Sequence, residues 1–503
     1  MQERIFSETS SDKHGSRAPG RLLSFLAGPL AAAMVSFLPL PFLSPHAHML
    51  AAILTAVVLY WILEPIPLPM TALLGTSFCI LAGLGSAKNI FASYAHPVIF
   101  LFIGSFLLAE AMRAHGLDRR FAAWMLSFSW VAVSPARILL AVGTVTAIIS
   151  MWVSNTATTA LMLPIALGVV ATLGGMPAKD TGRYRIGLML MLPYAATAGG
   201  LATPVGTPPN LIGVSLIAQQ TGVSISFLTW MAVGCPLAIV MLLVAWLQLQ
   251  RMYPAEAPIM PRFLNHLQEQ RLVLGSWTRG QVNACVAFGT AMVLWVVPGL
   301  IAAMWGSGNQ MTIWLDAHLP NELVAILAAG LLFVLPTDLS KGEFTLCWKQ
   351  ALNIDWGTIL LFGGGLAFSE LMVTTGLSAS VGQGFVTLFG SHAVWNLTAG
   401  SIMIAVLVSQ LVSNTATAGM VIPLMIAIAQ SADVSPVPPA LGACMGASLG
   451  FALPVSTPPN AIVYGTGLVP IINMVRAGLL FDLLGATLIW LTLRLLCPLV
   501  GLA

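Results

Sequence analysis

Apolar runs follow one another along this chain from Leu22 to the C-terminus, and they limit its fold more than any other feature. A bilayer core is about 30 Å thick, so a helix needs roughly 20 mostly apolar residues to cross it. Of the 503 residues, 58% are hydrophobic and only 7% are charged, which is more apolar surface than a soluble core can bury. The pattern predicts an all-α polytopic membrane protein with about 11 transmembrane helices.

The lengths of the runs indicate how the helices are organised. Runs on either side of Ser154 and of Ser413 are too short to cross comfortably, so each pair is predicted as a re-entrant helical hairpin. Crossings are predicted at 22–43, 48–63, 68–84, 97–112, 185–217 (broken), 227–249, 282–304, 322–335, 356–372, 438–472 (broken) and 479–496. The predicted regions are a cytoplasmic tail at 1–21, scaffold helices at 22–95, a first repeat at 96–250 with a hairpin at 136–173, a cytoplasmic loop at 251–280, scaffold helices and a loop at 281–355, and a second repeat at 356–503 with a hairpin at 394–430 and a C-terminal helix.

The basic residues indicate the orientation of the chain. If the N-terminus is cytoplasmic, every Lys and Arg except Lys88 and Arg494 falls on the cytoplasmic side, as the positive-inside rule requires. The stretches 306–321 and 376–394 contain no Lys or Arg and are predicted as outer loops. We therefore expect a multi-pass inner-membrane protein with a periplasmic or extracellular C-terminus. Its basic residues are scattered singly, which argues against nucleic-acid binding.

The two halves of the chain repeat each other in order and spacing. An odd number of predicted crossings separates the two matching helices, so the copies lie upside down relative to each other. Inverted repeats are typical of secondary transporters, which hold substrate and ions at the repeat interface. Two halves of a channel or a duplicated membrane enzyme are the alternatives. The matched segments are Phe102–Leu117 with Phe362–Leu377, Ser154–Thr158 with Ser413–Thr417, and Pro204–Asn210 with Pro454–Asn460.

The repeated motifs suit an anion and cations. Ser, Asn and Thr at a hairpin tip are preferred N-caps, and the free N–H groups of the helix that follows attract a carboxylate. Two consecutive prolines cannot lie inside a continuous helix, so both Thr-Pro-Pro-Asn segments unwind and free carbonyls that suit Na⁺. No Lys or Arg falls in either motif pair, so a bound anion depends on hydroxyls, amides, helix N-termini and co-bound cations. A single such motif is more often a cap or a kink, but duplication in order favours a site.

Other polar residues are weaker candidates. Glu110 and Glu370 match between the repeats, but they lie near predicted helix ends, where a hydrogen-bonded network is favoured over ion binding. Asp482 lies within a predicted crossing and could be functional, although a position at the cytoplasmic start of its helix is favoured. Isolated cysteines and dispersed histidines predict no disulfide, no metal cluster and no cofactor. No catalytic motif is present, so we do not expect an enzyme.

The paired motifs, together with Glu64–Pro69, Asn353–Gly357 and Phe362–Gly365, resemble the divalent anion:sodium symporter (DASS) family, which includes the sodium-dicarboxylate cotransporters. The resemblance extends from about Leu22 to the C-terminus. It implies a homodimer of eleven-helix protomers in the lipid bilayer. In each protomer a transport domain would carry the site past a fixed scaffold domain, which is an elevator mechanism.

The resemblance also implies roles for individual residues. It places one sodium site at Ser150, Ser154, Asn155 and the backbone of Gly206, and another at Ser409, Asn414 and the backbone carbonyls of Val412 and Ser456. It places the substrate at Ser154, Asn155, Thr156, Thr207, Pro208, Ser413, Asn414, Thr415, Thr457 and Pro458. Other members are expected to have Thr where Ser409 stands and Ala where Ser456 stands, and neither departure removes a type of ligand.

The implied function is Na⁺-coupled symport of C4-dicarboxylates such as succinate, malate and fumarate. Family members that carry sulfate often contain a large soluble insertion, and the polar stretch 250–279 is too short to form one. Dicarboxylate exchange without Na⁺ is the nearest alternative, but polar oxygens at both cation sites favour symport. Symport of another divalent anion, such as sulfate or citrate, also stays open. A related fold that carries arsenite or protons is a more distant possibility.

Overall fold

A computed structural model describes residues 18–128, 131, 134–172, 178–255, 275–306, 308–389 and 393–502. Most of the predicted tail and most of the predicted cytoplasmic loop lie outside these residues. The described helices up to the middle of the chain are α1 (Ala18–Phe37), α2 (Pro45–Leu63), α3 (Leu68–Leu81), α4 (Ala87–Ala92), α5 (Pro97–Ala114), α6 (Leu117–Leu126), α7 (Pro135–Ser150), α8 (Asn155–Thr172), α9 (Ala178–Gly200), α10 (Pro208–Thr221) and α11 (Phe227–Met252). They are followed by α12 (Arg279–Trp305), α13 (Gln310–His318), α14 (Asn321–Val334), strands β1 (Pro336–Asp338) and β2 (Glu343–Phe344), α15 (Trp348–Ala351), α16 (Trp356–Thr374), α17 (Leu377–Phe389), α18 (Val394–Ser409), α19 (Asn414–Ser431), α20 (Val437–Gly446), α21 (Pro458–Tyr464) and α22 (Ile471–Leu496).

The predicted fold class, an α-helical polytopic membrane protein, is confirmed. Among the described residues, six helical stretches are long and apolar enough to span a membrane: Pro45–Leu63, Ala87–Ala114, Phe227–Met252, Arg279–Trp305, Trp356–Thr374 and Ile471–Leu496. Large apolar side chains on their outer faces are exposed, for example Val293 at 57% and Leu483 at 58%. A soluble protein rarely leaves such continuous apolar surface uncovered, whereas lipid covers it without cost. The number of crossings stays a prediction.

The ends of α9 and α20 form the centre of the protein, and every residue from 191 to 200 and from 441 to 450 is buried. Their small side chains let neighbouring helices approach closely. A Cβ placed on Gly199 would lie 2.1 Å from the carbonyl oxygen of Ala147, so α9 can rest on α7 only with glycine at this position.

The two repeats are built from the same contacts. Trp246 of α11 donates from Nε1 to the Ala136 carbonyl at 2.8 Å, and Trp490 of α22 donates to the Trp395 carbonyl at 2.9 Å. The two acceptors lie at the starts of the two hairpins, α7–α8 and α18–α19. A Cβ on Gly234 of α11 would meet the Leu201 carbonyl at 2.5 Å, and one on Gly478 of α22 would meet the Phe451 carbonyl at 2.2 Å.

The repeats are also inverted, because α11 and α22 run in opposite directions. Tyr253, just after α11, donates from its hydroxyl to the carbonyl of Asn473, near the start of α22, at 3.2 Å. Each of the two tryptophan hydrogen bonds described above joins a hairpin start to the later part of α11 or α22. The two hairpins therefore open towards opposite ends of the molecule, as the sequence predicts.

Segments that the basic residues assign to the cytoplasmic side contact one another. Arg120 donates to the Ser276 carbonyl at 2.9 Å, and Gln281 donates to the His115 carbonyl at 3.0 Å. The His115 ring lies 2.6 Å from the carbonyl of Thr345, beside the β1–β2 hairpin. These loops share one end of the protein, and which side of the membrane that end faces stays a prediction.

Several predicted boundaries are wrong. The stretches predicted as outer loops contain helices, α13 within 306–321 and α17 within 376–394, and α6 was also not predicted. These helices are short or amphipathic, so a search for long apolar runs does not detect them. The second broken crossing ends at Tyr464, and α22 begins at Ile471 rather than at residue 479.

Candidate functional site

Both hairpins turn at the Ser-Asn-Thr motif. The Ser154 hydroxyl accepts a hydrogen bond from the Ala157 N–H at 3.3 Å at the start of α8. The Ser413 hydroxyl accepts one from the Ala416 N–H, also at 3.3 Å, at the start of α19. The capping role expected for these serines is therefore present in both repeats, and the first residue of each returning helix is the asparagine.

A buried serine orients each tip asparagine. Ser150 donates from Oγ to Asn155 Oδ1 at 2.7 Å, and Ser409 donates to Asn414 Oδ1 at 2.9 Å. Both serines are completely buried, whereas the tip residue Ser154 is exposed. Each tip therefore combines a polar surface that a solute can reach with a hydroxyl–carboxamide pair beneath it.

Both Thr-Pro-Pro-Asn segments start a new helix after an unwound loop. Thr207 and Thr457 are extended N-cap residues, with φ of −148° and −141°, and a proline follows each at the first helical position. Proline suits that position because its missing N–H has no partner there in any helix. The crossing is therefore interrupted between α9 and α10, and again between α20 and α21, as predicted.

The last residue of each motif holds the unwound loop together. Asn210 donates from Nδ2 to the carbonyls of Gly200 and Thr203, both at 2.8 Å. Asn460 donates to the carbonyls of Gly450 at 2.8 Å and Leu453 at 3.0 Å. This role was not predicted from the sequence, although the repetition of the asparagine in both motifs was a signal for it.

The predicted first sodium residues come together. A Cβ on Gly200 would lie 2.6 Å from Asn155 Oδ1, and one on Gly206 would lie 2.5 Å from the Gly200 carbonyl. Asn155, the tip serine beside it, Ser150 and Gly206 therefore surround the end of α9. Their hydroxyl, carboxamide and carbonyl oxygens are the ligands that a hard cation prefers.

The predicted second sodium residues come together in the same way. The Ser409 hydroxyl also lies 2.8 Å from the Ala447 carbonyl, so its single hydrogen is shared between that oxygen and Asn414 Oδ1. Asn414 donates from Nδ2 to the Ser448 carbonyl at 3.3 Å. Ser456 donates from Oγ to the carbonyl of Gln410, two residues before the buried Val412.

The predicted site residues of the two repeats belong to one packed unit. Helix α10 of the first repeat packs on α19 of the second, and α21 packs on α8 and α9. Cys444 of α20 donates from Sγ to the Pro209 carbonyl at 3.0 Å, next to the predicted substrate residue Pro208.

The helix N-termini at Asn155, Pro208, Asn414 and Pro458 therefore come from this one unit. The remaining predicted substrate residues Thr156 and Thr415 are the second residues of α8 and α19. Helix N-termini attract anions, so the unit can hold a dianion without a basic side chain.

Other candidates lie elsewhere. Glu110 forms an ion pair with Arg113 at 2.6 Å, and Glu370 accepts from the Ser93 hydroxyl at 3.3 Å, so both are in hydrogen-bonded networks. In the glycine run of α16, Gly363 lies against Tyr94 and Gly364 against Ala72. Gly365 alone of the three faces a hairpin helix, through Gly419 of α19.

Asp482 is not at the start of its helix, where the sequence analysis favoured placing it. It lies near the middle of α22 and is 4% exposed. Its carboxylate accepts from Gln410 Nε2 at 2.7 Å, which links it to the second hairpin tip. The predicted position is wrong because the helix begins at Ile471, eight residues before the apolar run Leu479–Leu496 that predicted the crossing.

Comparisons with known proteins agree with this architecture. Residues 21–502 match the family model described as "Sodium:sulfate symporter transmembrane region". The chain is 30% identical to the sodium-dependent dicarboxylate transporter SdcS of Staphylococcus saprophyticus, covering 95% of this chain and 92% of the relative. It is also 30% identical to SdcS of Staphylococcus aureus strain USA300, covering 99% and 94%.

A solved structure has the same fold. The YdaH transporter of Alcanivorax borkumensis aligns with a TM-score of 0.53 over 94% of this chain and 96% of that one. The two sequences are 13% identical over this alignment, so the likeness concerns the fold alone.

Proposed function

Because the chain belongs to the sodium:sulfate symporter family of membrane transporters, we propose that it imports C4-dicarboxylates together with Na⁺ across the cytoplasmic membrane. Succinate, malate and fumarate are the proposed substrates. The duplicated hydroxyl–carboxamide pair, Ser150 with Asn155 and Ser409 with Asn414, carries this proposal. The names of the staphylococcal relatives, sodium-dependent dicarboxylate transporters, favour the same substrate class.

The proposed cation sites use the oxygens at the two tips. Na⁺ would be held in the first repeat by Ser150, Ser154, Asn155 and the Gly206 backbone. In the second repeat it would be held by Ser409, Asn414 and the carbonyls of Val412 and Ser456. These ligands are neutral, so each bound Na⁺ adds a net positive charge beside the helix N-termini. That charge offsets the cost of burying a dianion, which is the physical reason for coupling dicarboxylate binding to Na⁺ binding.

The substrate carboxylates would lie on the tips and the restarted helices. One would meet Ser154, Asn155 and Thr156, the other Ser413, Asn414 and Thr415. The residues Thr207, Pro208, Thr457 and Pro458 would line the space between them. Hydroxyls and backbone N–H groups there bind a carboxylate through directed hydrogen bonds.

We further propose that the hairpins and broken helices move together as a transport domain. The supporting observation is that α10 packs on α19 and α21 on α8, so the two sites belong to one body. Helices α1 to α3, together with α12 and α14, would form the fixed scaffold and carry a homodimer interface. The N-terminus is proposed to be cytoplasmic and the C-terminus to lie on the opposite side.

Transport by purified protein in liposomes tests this function. With an inward Na⁺ gradient, we expect accumulation of labelled succinate that unlabelled malate and fumarate reduce. Replacement of Na⁺ by choline or K⁺ should stop accumulation. Uptake that persists without Na⁺ and requires internal dicarboxylate would establish exchange instead.

The family description names sulfate, so labelled sulfate is the comparison substrate. We expect sulfate to be neither accumulated nor an effective competitor of succinate. Na⁺-driven accumulation of sulfate, with no uptake of succinate, would establish the other divalent-anion function and refute this substrate assignment.

A further inference from the structure

Asp482 lies near the middle of α22, a 26-residue apolar helix long enough to span a membrane, and its side chain is buried. Its Oδ2 accepts from Gln410 Nε2 at 2.7 Å, and the Phe451 N–H lies 3.3 Å from each carboxylate oxygen. Both neighbours are hydrogen-bond donors, and an ionised carboxylate, which only accepts, satisfies them. The side chain is thus a buried acceptor between the second hairpin tip and the second unwound loop.

No basic side chain neutralises this carboxylate in the described part of the chain. The ion pairs found there join Arg113 to Glu110 and Lys341 to Asp338, and neither involves Asp482. An unpaired carboxylate at membrane depth is costly, and such residues mark ion or substrate pathways. A cation that binds during the transport cycle would offset that cost.

The hydrogen bonds of Asp482 lead directly to the second cation site. Gln410 follows Ser409 in the chain. The Ser456 hydroxyl shares its one hydrogen between the Gln410 carbonyl, at 3.0 Å, and Gln410 Oε1, at 3.3 Å. A Cβ on Gly450 would lie 3.2 Å from the Ser409 carbonyl and 3.5 Å from Ser456 Cβ. One side chain and one loop therefore separate Asp482 from the proposed ligands.

An aromatic wall keeps this region apolar. Tyr194 stacks on Phe481 with ring centroids 4.5 Å apart, and Phe451 lies 4.8 Å from Tyr194. The Tyr194 hydroxyl is fully buried, has no hydrogen-bond partner among the described residues and lies close enough to Asp482 to interact with its charge. A charge acts more strongly through such low-dielectric surroundings than through water.

The first repeat has no counterpart of this acid. The register that pairs Gly234 with Gly478 places Ala238 of α11 at the position of Asp482. Met151 takes the place of Gln410 at the first tip. The two cation sites therefore share a serine hydroxyl and an asparagine carboxamide but differ by one formal charge behind them.

We propose that Asp482 is a positioning residue and counter-charge of the second cation site. Its carboxylate fixes Gln410 and the loop at Phe451, and its charge favours Na⁺ at Ser409, Val412, Asn414 and Ser456. This inference rests on the proposed Na⁺ coupling.

The test uses Asp482→Asn, which keeps the shape of the side chain and removes its charge. We expect the Na⁺ concentration for half-maximal succinate uptake to rise about tenfold. The KM for succinate at saturating Na⁺ and the maximal rate should stay within about twofold of wild type. In detergent, Na⁺ should raise the Tm of the variant only at correspondingly higher concentration, because ligand stabilisation follows occupancy.

Control variants separate charge from folding. Asp118→Asn removes another buried carboxylate, on α6, and should leave the Na⁺ response unchanged. Asp482→Glu keeps the charge and should respond to Na⁺ more like wild type than Asp482→Asn does. Gln410→Met installs the first-repeat residue and removes the hydrogen bond to Asp482. If Asp482→Asn does not fold, the Na⁺ concentration needed to raise the Tm should still be several-fold higher in Gln410→Met than in wild type.

The outcomes are distinguishable. If wild-type uptake does not depend on Na⁺, the proposed function fails. If wild type depends on Na⁺ but Asp482→Asn has the same half-maximal Na⁺ concentration, this inference alone is refuted. A lower maximal rate with an unchanged Na⁺ response, an equal defect in Asp482→Glu, or an unshifted Gln410→Met would also refute it.

Discussion

In the first repeat, the Thr203 hydroxyl donates to the Met151 carbonyl at the hairpin tip. In the second repeat, Ser456 donates to the matching carbonyl of Gln410, whose side chain also binds Asp482. The same carbonyl is therefore supported from different loop positions. The serine–asparagine pairs that face the proposed ions are alike in the two repeats, whereas the residues that support the tips differ.

This difference separates two kinds of constraint. Three contacts recur in the two repeats with nearly the same distances. They are the serine–asparagine pair, the asparagine that holds each unwound loop, and the tryptophan of α11 or α22 that binds each hairpin start. They fix the backbone on which a cation and a carboxylate depend. Supporting residues need only satisfy a carbonyl, so Thr203 serves in the first repeat and Ser456 in the second. In the second repeat the Gln410 side chain also binds Asp482, which brings a charge close to the site.

The largest effect is expected from Asn155→Ala and Asn414→Ala. Each change removes a carboxamide oxygen from a proposed cation site. Asn155→Ala also takes away the acceptor of the buried Ser150 hydroxyl, which costs about 1–3 kcal/mol, whereas Ser409 keeps the Ala447 carbonyl as an acceptor in Asn414→Ala. We expect succinate uptake in proteoliposomes to fall to background in both variants, with normal amounts of protein in the membrane. Wild-type uptake in either variant would refute the site assignment and the equivalence of the two tips.

A large effect on stability is expected from Gly234→Ala and Gly478→Ala. The new Cβ atoms would lie 2.5 Å and 2.2 Å from loop carbonyls, so α11 or α22 must move away. Overpacking of this kind costs about 1–3 kcal/mol, which should lower the Tm of the solubilised protein. Gly289→Ala in α12 is the control, because a Cβ there meets nothing within 4 Å, and it should leave the Tm unchanged or higher. Equal stability of all three variants would contradict the close contact at both loops.

The sequence predicted those parts of the site that local chemistry determines. Ser154 and Ser413 had to cap, and Pro208 and Pro458 had to begin helices, because these roles follow from the residues themselves.

Features that depend on distant contacts could not be predicted in this way. The match of α11 with α22 depends on a glycine and a tryptophan among unrelated apolar residues, and only their contacts reveal it. The partners of Asp482, Gln410 and Phe451, are far from it in the chain. The amphipathic helix Leu377–Phe389 was read as a loop, because it has no continuous apolar run.

A moderate effect is expected from Ser150→Ala and Ser409→Ala. Each removes a hydroxyl that is a proposed Na⁺ ligand and that also orients a tip asparagine through a hydrogen bond contributing about 0.5–1.5 kcal/mol. We expect the half-maximal Na⁺ concentration for uptake to rise by roughly three- to tenfold in each. Ser409→Thr keeps the hydroxyl and should stay near wild type. A shift in one repeat only would mean that the two sites do not both bind a coupling cation.

The smallest effect is expected from Ser456→Ala. The proposed cation ligand at this position is the backbone carbonyl, which the substitution keeps. The hydroxyl contacts with Gln410 are lost, and Asp482 still holds that side chain at 2.7 Å. The half-maximal Na⁺ concentration should therefore change by less than about twofold, with a loss of about 1 kcal/mol in stability. Thr203→Val is the matched change in the first repeat and should lower the Tm by a similar amount. If Ser456→Ala instead weakens Na⁺ binding as much as Asp482→Asn does, the hydroxyl rather than the carboxylate would be what distinguishes the second site.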